Sequence, residues 1–426
     1  MENPFQIFGI SDAVVKTAAS VHQEIAPAIS RIEEIRRNNQ LRVLNAFRDA
    51  RISEAHFGSS TGYGYDDIGR EKIERMYAQV FGAESAYVRI QISSGTQAIA
   101  ACLFGILRPG DTMISLTGTP YDTLATAIGI SKQDRKPAEG SLREFGILYK
   151  EVALREDDSP DLVAIERAVD KETRLVFIQK SKGYADRRCL LGSEIRSIIE
   201  TVRGTGSSAV ILVDNCYGEF VEEEEPCHYG ADLCAGSLIK NPGGGLCPTG
   251  GYIVGKKEWV EAAAYRLTAP GLGHHVGPSL GFNRTIAQGL FMAPHIVAES
   301  LKGSIFAAEL FRKAGFRTFP GPFDQRGDII QSIRFRLPEQ VLSFCRIVQT
   351  CSPVDSFVTP EPWDMPGYDV PVIMAAGTFV QGSSIEFSAD GPIKPPYNVY
   401  MQGGLVSEQI YLAAMMAVDQ MEEYSG

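Results

Sequence analysis

Between residues 12 and 52 apolar side chains recur every three or four positions among charged ones: Ile29, Ile32 and Ile35, then Leu41, Leu44 and Phe47. That spacing predicts helix, and Pro27 marks a new helix start within it. Such an arm packs on its own domain, packs on a partner subunit, or is an ordinary amphipathic surface helix. Residues 71–81 repeat the pattern, with Ile73, Met76, Tyr77 and Val80 on one face. From there the period switches back and forth. Residues 86–92, 112–116, 174–179 and 209–213 read as strands, the last a continuous apolar run suited to a sheet covered on both faces. Residues 96–107, 121–130 and 193–202 read as helices between them, and 251–254 returns as a further strand. This alternation predicts an α/β fold with a mostly parallel, doubly wound sheet.

The pattern changes near Ala293. A helix is predicted over 296–310, opening after Pro294, and another over 341–351 between strands at 329–335 and 384–387. A last helix closes the chain over 405–423. These elements predict a smaller α+β domain. The expected division is a helical arm over 1–57, a large domain over 58–292 and a small C-terminal domain over 293–426.

Composition narrows the classes. At 426 residues the chain exceeds one ordinary domain. A formal charge of −11 speaks against a nucleic-acid partner. No apolar run approaches the ~20 residues of a membrane span. The start Met1-Glu2-Asn3-Pro4-Phe5 has no basic head and no long apolar core, so no signal peptide is expected and a cytoplasmic protein is. The eight cysteines contain no Cys-x-x-Cys pair, which predicts reduced thiols rather than a disulfide framework. Cys227-His228 are adjacent, poor spacing for zinc ligands, and no metal site is expected.

Candidate chemistry centres on Gly236-Ser237-Leu238-Ile239-Lys240-Asn241-Pro242-Gly243-Gly244-Gly245. A lysine in an apolar pocket can act as a nucleophile and join an aldehyde cofactor as a Schiff base. Upstream, Asp214 ends the apolar run 209–213, and a buried aspartate can keep a pyridine nitrogen protonated. Together they are the minimum that pyridoxal phosphate asks of a protein. Singly each has a plainer meaning: a solvated lysine, a turn or cap aspartate. Ser93-Ser94-Gly95-Thr96 stands between a strand and a helix. It is either a helix cap without ligand or a turn whose N–H groups receive a phosphate.

The segments Ser94-Gly95-Thr96-Gln97-Ala98, Val213-Asp214-Asn215, the lysine stretch from Ser237 to Gly245, and Gly281-Phe282-Asn283-Arg284 resemble the bacterial aluminium-resistance proteins. These are relatives of the cystathionine lyases and methionine gamma-lyase. The resemblance runs from about residue 58 to 405. It implies the type I pyridoxal phosphate-dependent transferase fold and a carbon–sulfur lyase acting on a sulfur amino acid of the cystathionine, cysteine or methionine class. Aminotransfer, aldol cleavage and a non-enzymatic metal-stress role are the alternatives. The resemblance further implies that Lys240 holds the cofactor and moves the substrate proton. Asp214 would meet the ring nitrogen, Tyr121 would stack on the ring, and Ser94, Gly95, Thr96 and Ser237 would hold the phosphate.

It also implies a homodimer or homotetramer with shared sites, in which Tyr65 and Arg70 reach a neighbour's phosphate. Their spacing differs from the usual one in the cystathionine-lyase group. In Gln179-Lys180-Ser181-Lys182-Gly183-Tyr184 the two lysines either meet a substrate carboxylate or are charges on an exposed loop. The relatives tend to carry arginines there, and a lysine cannot give the bidentate fork. Lys394 is the nearest cation to a second candidate anchor region. Arg284 is structural or faces a subunit, and Asn215 touches the ring oxygen or, as favoured here, serves a turn. His274-His275 form either a metal or proton-relay pair or two diverging loop side chains. Glu222-Glu223-Glu224-Glu225 read as a solvated turn, with a hard-cation site as the alternative.

Overall fold

The arm forms two helices, α1 (Asp12–Glu24) and α2 (Ala26–Ala50). The Ser11 side chain caps α1 by accepting from the Val14 N–H, and Pro27 falls in the first turn of α2, where an N–H has no helical partner to lose. Ile32, Val43 and Ala46 of α2 are buried in the chain's own core, while Leu41 and Leu44 remain 59% and 45% exposed. The arm therefore packs on its own subunit along one face. The structure, a computed structural model, describes residues 4–130, 137–183, 185–364 and 370–422.

Helix α3 (Ile68–Val80) leads into the alternating region: β1 (Ser85–Arg89), α4 (Gly95–Ile106), β2 (Thr112–Ser115), α5 (Asp122–Ile128), β3 (Leu148–Glu151), α6 (Leu162–Ala168), β4 (Thr173–Gln179), α7 (Gly192–Gly204), β5 (Val210–Asp214), β6 (Leu233–Ser237), β7 (Gly251–Gly255) and α8 (Lys257–Leu267). The seven strands make one sheet in the order β1-β7-β6-β5-β4-β2-β3. Strands β6, β5, β4, β2 and β3 run parallel, and β7 runs antiparallel to both of its neighbours. Every residue of β5 is buried, as its unbroken apolar run predicts for a strand covered on both faces. The expected fold class is thus the one observed.

The small domain departs further from the reading of the sequence. Helix α9 (Asn283–Lys313) begins well before the expected start at 296 and runs through Pro294. An interior proline removes a hydrogen bond and costs about 3 kcal/mol. Burial on both sides of it, through Leu290, Ala293, Ile296 and Val297, offsets that cost. The helix crosses the expected division at residue 292. It is followed by β8 (Arg317–Phe319), β9 (Gln331–Arg334), α10 (Pro338–Thr350), β10 (Val372–Ala375), β11 (Ser388–Pro392), β12 (Asn398–Gln402) and α11 (Ser407–Glu422). The strands form an antiparallel sheet ordered β10-β11-β12-β9-β8. The strand expected at 384–387 is instead the approach to β11. There the Glu386 carboxylate accepts from the Phe379 and Val380 N–H groups at 2.7 and 2.9 Å. Residue Glu423, the expected end of the last helix, lies outside the described residues. All eight cysteines are free thiols, and no helix among the described residues is long and apolar enough to cross a membrane.

One carboxylate joins the arm-side loop to the start of α9. Asp67 caps α3 by accepting from the Arg70 N–H at 2.9 Å, and it accepts from Asn283 Nδ2 at 2.9 Å and from the Ser60 hydroxyl. Burial pushes its carboxyl up, but hydrogen bonds from Ser279, Ser60, the Arg70 N–H and Asn283 outweigh burial and hold it at about 2. A carboxyl depressed in the folded chain stabilises it above the ordinary value of 3.8, and that contribution is lost as pH falls toward 2. Asp67→Ala should therefore lower stability by roughly 2–3 kcal/mol at neutral pH. The gap to wild type in urea unfolding should close as the pH is taken below about 4; a gap that does not change with pH would mean that the charged form carries nothing.

Candidate active site

The carboxyl ends of β4, β5 and β6 meet at one edge of the large sheet, the edge where such sheets bind ligands. There Asp214 lies in register with Gln179 of β4 and Ala235 of β6. It is 4% exposed, and one of its oxygens accepts from the Cys216 N–H at 3.0 Å. Burial pushes its carboxyl up; the charge of Lys240 and the contact with Cys216 act in the other direction without cancelling it. Lys240 is carried by the tight turn after β6. The turn closes through Lys240 N–H to the Ser237 carbonyl at 3.4 Å and Gly243 N–H to the Lys240 carbonyl at 3.1 Å. It is possible only with glycine at 243, where a Cβ would stand 1.7 Å from the Leu238 carbonyl oxygen. Lys240 Nζ lies 3.9 Å from the centroid of the Tyr217 ring. Burial lowers the proton affinity of the amine, but Cys216, Tyr217, Asp214 and Tyr121 together raise it well above that of an ordinary lysine. In the protein alone, then, Lys240 is an ammonium.

Helix α4 points its N-terminus into the same edge. Ser94 caps it, accepting from the Gln97 N–H at 3.1 Å. Gly95 comes so close to the strand ends that a Cβ there would stand 3.0 Å from Cys216 Sγ and 3.6 Å from Ser237 Cβ. The first N–H groups of a helix have no internal acceptor and carry the positive end of its dipole. Thr96 Oγ1 lies 3.1 Å from the Tyr121 hydroxyl and 3.2 Å from Thr123 Oγ1. The Tyr121 N–H donates to Gln179 Oε1 at 3.1 Å, so the tyrosine is strung between α4 and β4. Burial, chiefly, keeps the Tyr121 hydroxyl protonated. The Ser237 hydroxyl accepts from the Ile239 N–H at 3.3 Å.

The structure thus brings Ser94, Gly95, Thr96, Tyr121, Asp214, Ser237 and Lys240 to one place. Their donor set matches a planar ring with a basic nitrogen, an aldehyde and a phosphate. A buried carboxylate suits the nitrogen, an amine the aldehyde, and a helix N-terminus with hydroxyl groups the phosphate.

Tyr65 and Arg70 do not join this cluster within the chain. Arg70 is buried, and its guanidinium donates to the carbonyls of Gly64 at 2.7 Å, Gly277 at 2.5 Å and His274 at 3.3 Å. It pins one loop to another. Tyr65 is 58% exposed and stacks on the exposed Tyr63 with ring centroids 5.3 Å apart. Lys180 and Lys182 are not charges on an exposed loop; both are buried. Lys180 pairs with Glu222 at 2.9 Å. Lys182 donates to Ser332 Oγ at 3.2 Å and the Phe319 carbonyl at 3.4 Å. Tyr184 lies outside the described residues. Arg284 pairs with Glu54 at 2.5 Å, and Lys394 is exposed. His274 is half-buried between Glu74 and Glu261, while His275 is exposed, so the two side chains diverge.

Of the four glutamates 222–225, Glu223 and Glu224 are exposed, as a solvated turn predicts, while Glu222 and Glu225 latch onto the fold. Glu222 takes Lys180 and the Gly192 N–H, Glu223 takes Asn38 of α2, and Glu224 takes Arg196 of α7. Glu225 is buried, accepting from Asn215 Nδ2 at 2.8 Å and the Phe220 N–H at 2.9 Å. No group of three metal-ligating side chains occurs among the described residues.

Two residues that the sequence reading passed over complete the surroundings. Tyr217 touches the lysine amine. Glu219 lies behind β6, fully buried, where its carboxylate accepts from the Tyr252 hydroxyl at 2.8 Å and its backbone carbonyl accepts from Asn241 Nδ2 at 2.9 Å. Their only signal in the sequence is adjacency to Asp214.

The family model for methionine gamma-lyase matches residues 14–422. The chain is 51% identical over 406 residues to the protein YnbB of Bacillus subtilis (strain 168), covering 95% of this chain and 96% of that one. Its structure is similar to the crystal structure of a carbon–sulfur lyase involved in aluminum resistance from Clostridium novyi NT. The TM-score is 0.93 at 48% identity, with 98% of each chain covered. L-methionine gamma-lyase of Pseudomonas putida is 27% identical over 226 residues, 52% of this chain and 49% of that protein.

Burial pushes the Glu219 carboxyl from its ordinary 4.5 up to about 8. The folded chain therefore holds this proton more tightly than the unfolded chain does. Its stability should fall as pH rises from 4.5 through 8 and then level off. Glu219→Gln keeps an acceptor for Tyr252 but cannot ionise. The variant should exceed wild type by on the order of 1–4 kcal/mol above about pH 8 and approach it in acid. Parallel stability curves for the two proteins in urea unfolding would contradict this.

Proposed function

The chain belongs to the methionine gamma-lyase family of carbon–sulfur lyases, and on that premise we propose that it is a pyridoxal phosphate-dependent enzyme releasing a thiol from a sulfur amino acid of the cystathionine, cysteine or methionine class. The observation that carries the reading is the meeting of Lys240, Asp214 and Tyr121 beside the N-terminus of α4. When bound, pyridoxal phosphate supplies an aldehyde that joins amines and a protonated ring that takes up the electrons of a broken bond at the substrate Cα.

The chain's residues do the rest. The Lys240 amine would hold the aldehyde of the bound cofactor, and, once free, would be the group placed to take the substrate Cα proton at Nζ. Asp214 keeps the proton on the ring nitrogen, a charge-assisted contact strengthened by its burial. The α4 N-terminus at Ser94, Gly95 and Thr96, with the Ser237 hydroxyl, receives the phosphate. Tyr121 covers the ring, oriented by Thr96 at one end and Gln179 at the other. Elimination gives a thiol, and uptake of water by the remaining enamine gives an oxo acid and ammonia.

Within this reading the site belongs to the large domain, residues 58–292, flanked by the arm over 1–57 and the small domain over 293–426. Tyr65 serves a second copy of the chain in a homodimer or homotetramer with shared sites. Arg70, placed here to hold the loop that carries Tyr65, acts on a neighbour by fixing that loop.

Borohydride reduction of the holoenzyme followed by peptide mass mapping should place the pyridoxyl group on Lys240. Lys240→Ala should lose that adduct and at least about a thousandfold in turnover. Cysteine, cystathionine and methionine, assayed for both thiol and oxo acid, should include at least one substrate. An adduct on another lysine would remove the site assignment. Turnover of other amino acids with no thiol from any of the three would leave the cofactor in place and sink the lyase.

A further inference from the structure

Tyr217 occupies a backbone conformation that side chains avoid. Its φ is +71°, in the left-handed region that favours glycine. Such outliers persist only when their surroundings over-determine them, and here they do. The Cys216 N–H donates to the Asp214 carboxylate at 3.0 Å. The Gly218 N–H donates to the Asn215 carbonyl at 2.9 Å, closing a turn with Cys216 and Tyr217 at its centre. The Ile329 N–H, from the segment leading into β9, donates to the Tyr217 carbonyl at 3.2 Å. That segment is fixed in turn by Asp328, which accepts from the Ser181 hydroxyl at 2.8 Å and the Ile330 N–H at 3.0 Å. Three separate pieces of the chain thus hold one residue in an unfavourable conformation. The result is a ring whose centroid stands 3.9 Å from Lys240 Nζ.

An aromatic face at this distance attracts an ammonium and not a neutral amine. We propose that the Tyr217 ring is the seat of the Lys240 ammonium, a positioning residue that keeps the lysine in place while it carries a proton. The inference rests on reading Lys240 as the base. A lysine that has released the cofactor and taken a proton from the substrate must stay within reach to return it. It has a flexible four-carbon stem with which to wander. Among the described residues Lys240 forms no ion pair within 4.0 Å. A ring face holds its charge without exchanging a proton with it and without fixing the direction of its N–H bonds.

The test uses the full chain freed of aldehydes with hydroxylamine and given no substrate. Reductive methylation of Lys240 is followed by peptide mass mapping across the alkaline range, and its midpoint reports the amine's proton affinity. Tyr217→Phe, which keeps the ring, should leave the midpoint unchanged. Tyr217→Gly, which suits the left-handed backbone, should lower it by roughly 0.5–1 unit. Adding ring fluorines one at a time to the phenylalanine introduced at this position weakens the negative face at nearly constant shape. The midpoint should step down with each, a readout that survives if the glycine variant does not fold. A midpoint flat across the fluorinated series, or one that Tyr217→Phe moves as far as Tyr217→Gly does, overturns the proposal. Thiol release is measured separately on the holoenzyme. If it fails while the midpoint still follows the ring, the lyase reading falls and the seat of the ammonium stands.

Discussion

The structure depends on placing an amine and a carboxylate out of water, at the ends of adjacent strands, without letting them close into a fixed pair. Desolvation alone would strip Lys240 of its proton and give one to Asp214. Lys240 is kept in its charged form by Cys216, Tyr217, Asp214 and Tyr121, whereas the Asp214 carboxyl stays raised by burial, with the charge of Lys240 acting against that shift without cancelling it. That requires the strand ends to be held in register, which a doubly covered parallel sheet does well. β5 ends at Asp214 opposite Ala235, β6 runs two residues further to Ser237, and the turn after each is locked locally. Asp214 binds the next but one N–H along its own turn, and Ser237 binds the second N–H after it. The two reacting groups are thus fixed by their own loops rather than by each other.

The small sheet is part of this arrangement. Helix α9 runs unbroken from the Asp67 junction to β8, and Asp328, just before β9, ties the loop after β4 to the turn after β5. The latch of residues 222–225 does the same from the other side. Glu222 reaches Lys180 after β4, Glu223 reaches the arm, and Glu225 reaches Asn215 beside Asp214. A shift of the small sheet or of the arm would therefore be felt first in the turns that carry Asp214 and Tyr217.

Much of this was legible in the residues and some was not, for reasons that can be named. The strand–Asp and Ser-x-x-Lys elements are local, so their meeting follows once the strands are parallel. Lys180 and Lys182 misled because a charged stretch after a strand looks solvated. Their burial depends on Glu222 and on Ser332, partners about 40 and 150 positions away. The acidic run misled only at Glu222 and Glu225, whose partners Lys180 and Asn215 lie 42 and 10 positions away; Glu223 and Glu224 are exposed as read. Strand β6 was not foreseen because Leu-Cys-Ala-Gly-Ser is made of small residues with weak strand preference. That smallness has a use: a Cβ at Gly236 would stand 2.8 Å from the Glu219 carboxylate. Pro294 reads as a boundary in sequence, and only the packing of α9 on both sides of it shows otherwise.

Charge balance bears on whether one chain makes a whole site. Glu219 behind β6 is held largely neutral below about pH 8, so the ionisable groups that remain at the strand ends are Lys240, held charged by its neighbours, and Asp214, whose carboxyl burial pushes up; neither leaves a surplus of positive charge for a phosphate. A phosphate monoester brings close to two negative charges, and the N-terminus of one helix offers about half a positive charge against them. A cation has to supply the remainder or water has to screen it. Within the chain Arg70 is turned away, its guanidinium engaged by three carbonyls, and Lys180 and Lys182 are buried with partners of their own. The loop that Arg70 braces nevertheless presents Tyr63 and Tyr65, stacked and exposed, as a stiff edge facing outward. A stiff, exposed pair of phenols is of little use to its own core. In the shared site proposed above, a hydroxyl from such an edge, delivered by a second copy, would add a neutral hydrogen-bond donor to the phosphate, and water would screen the charge that remains.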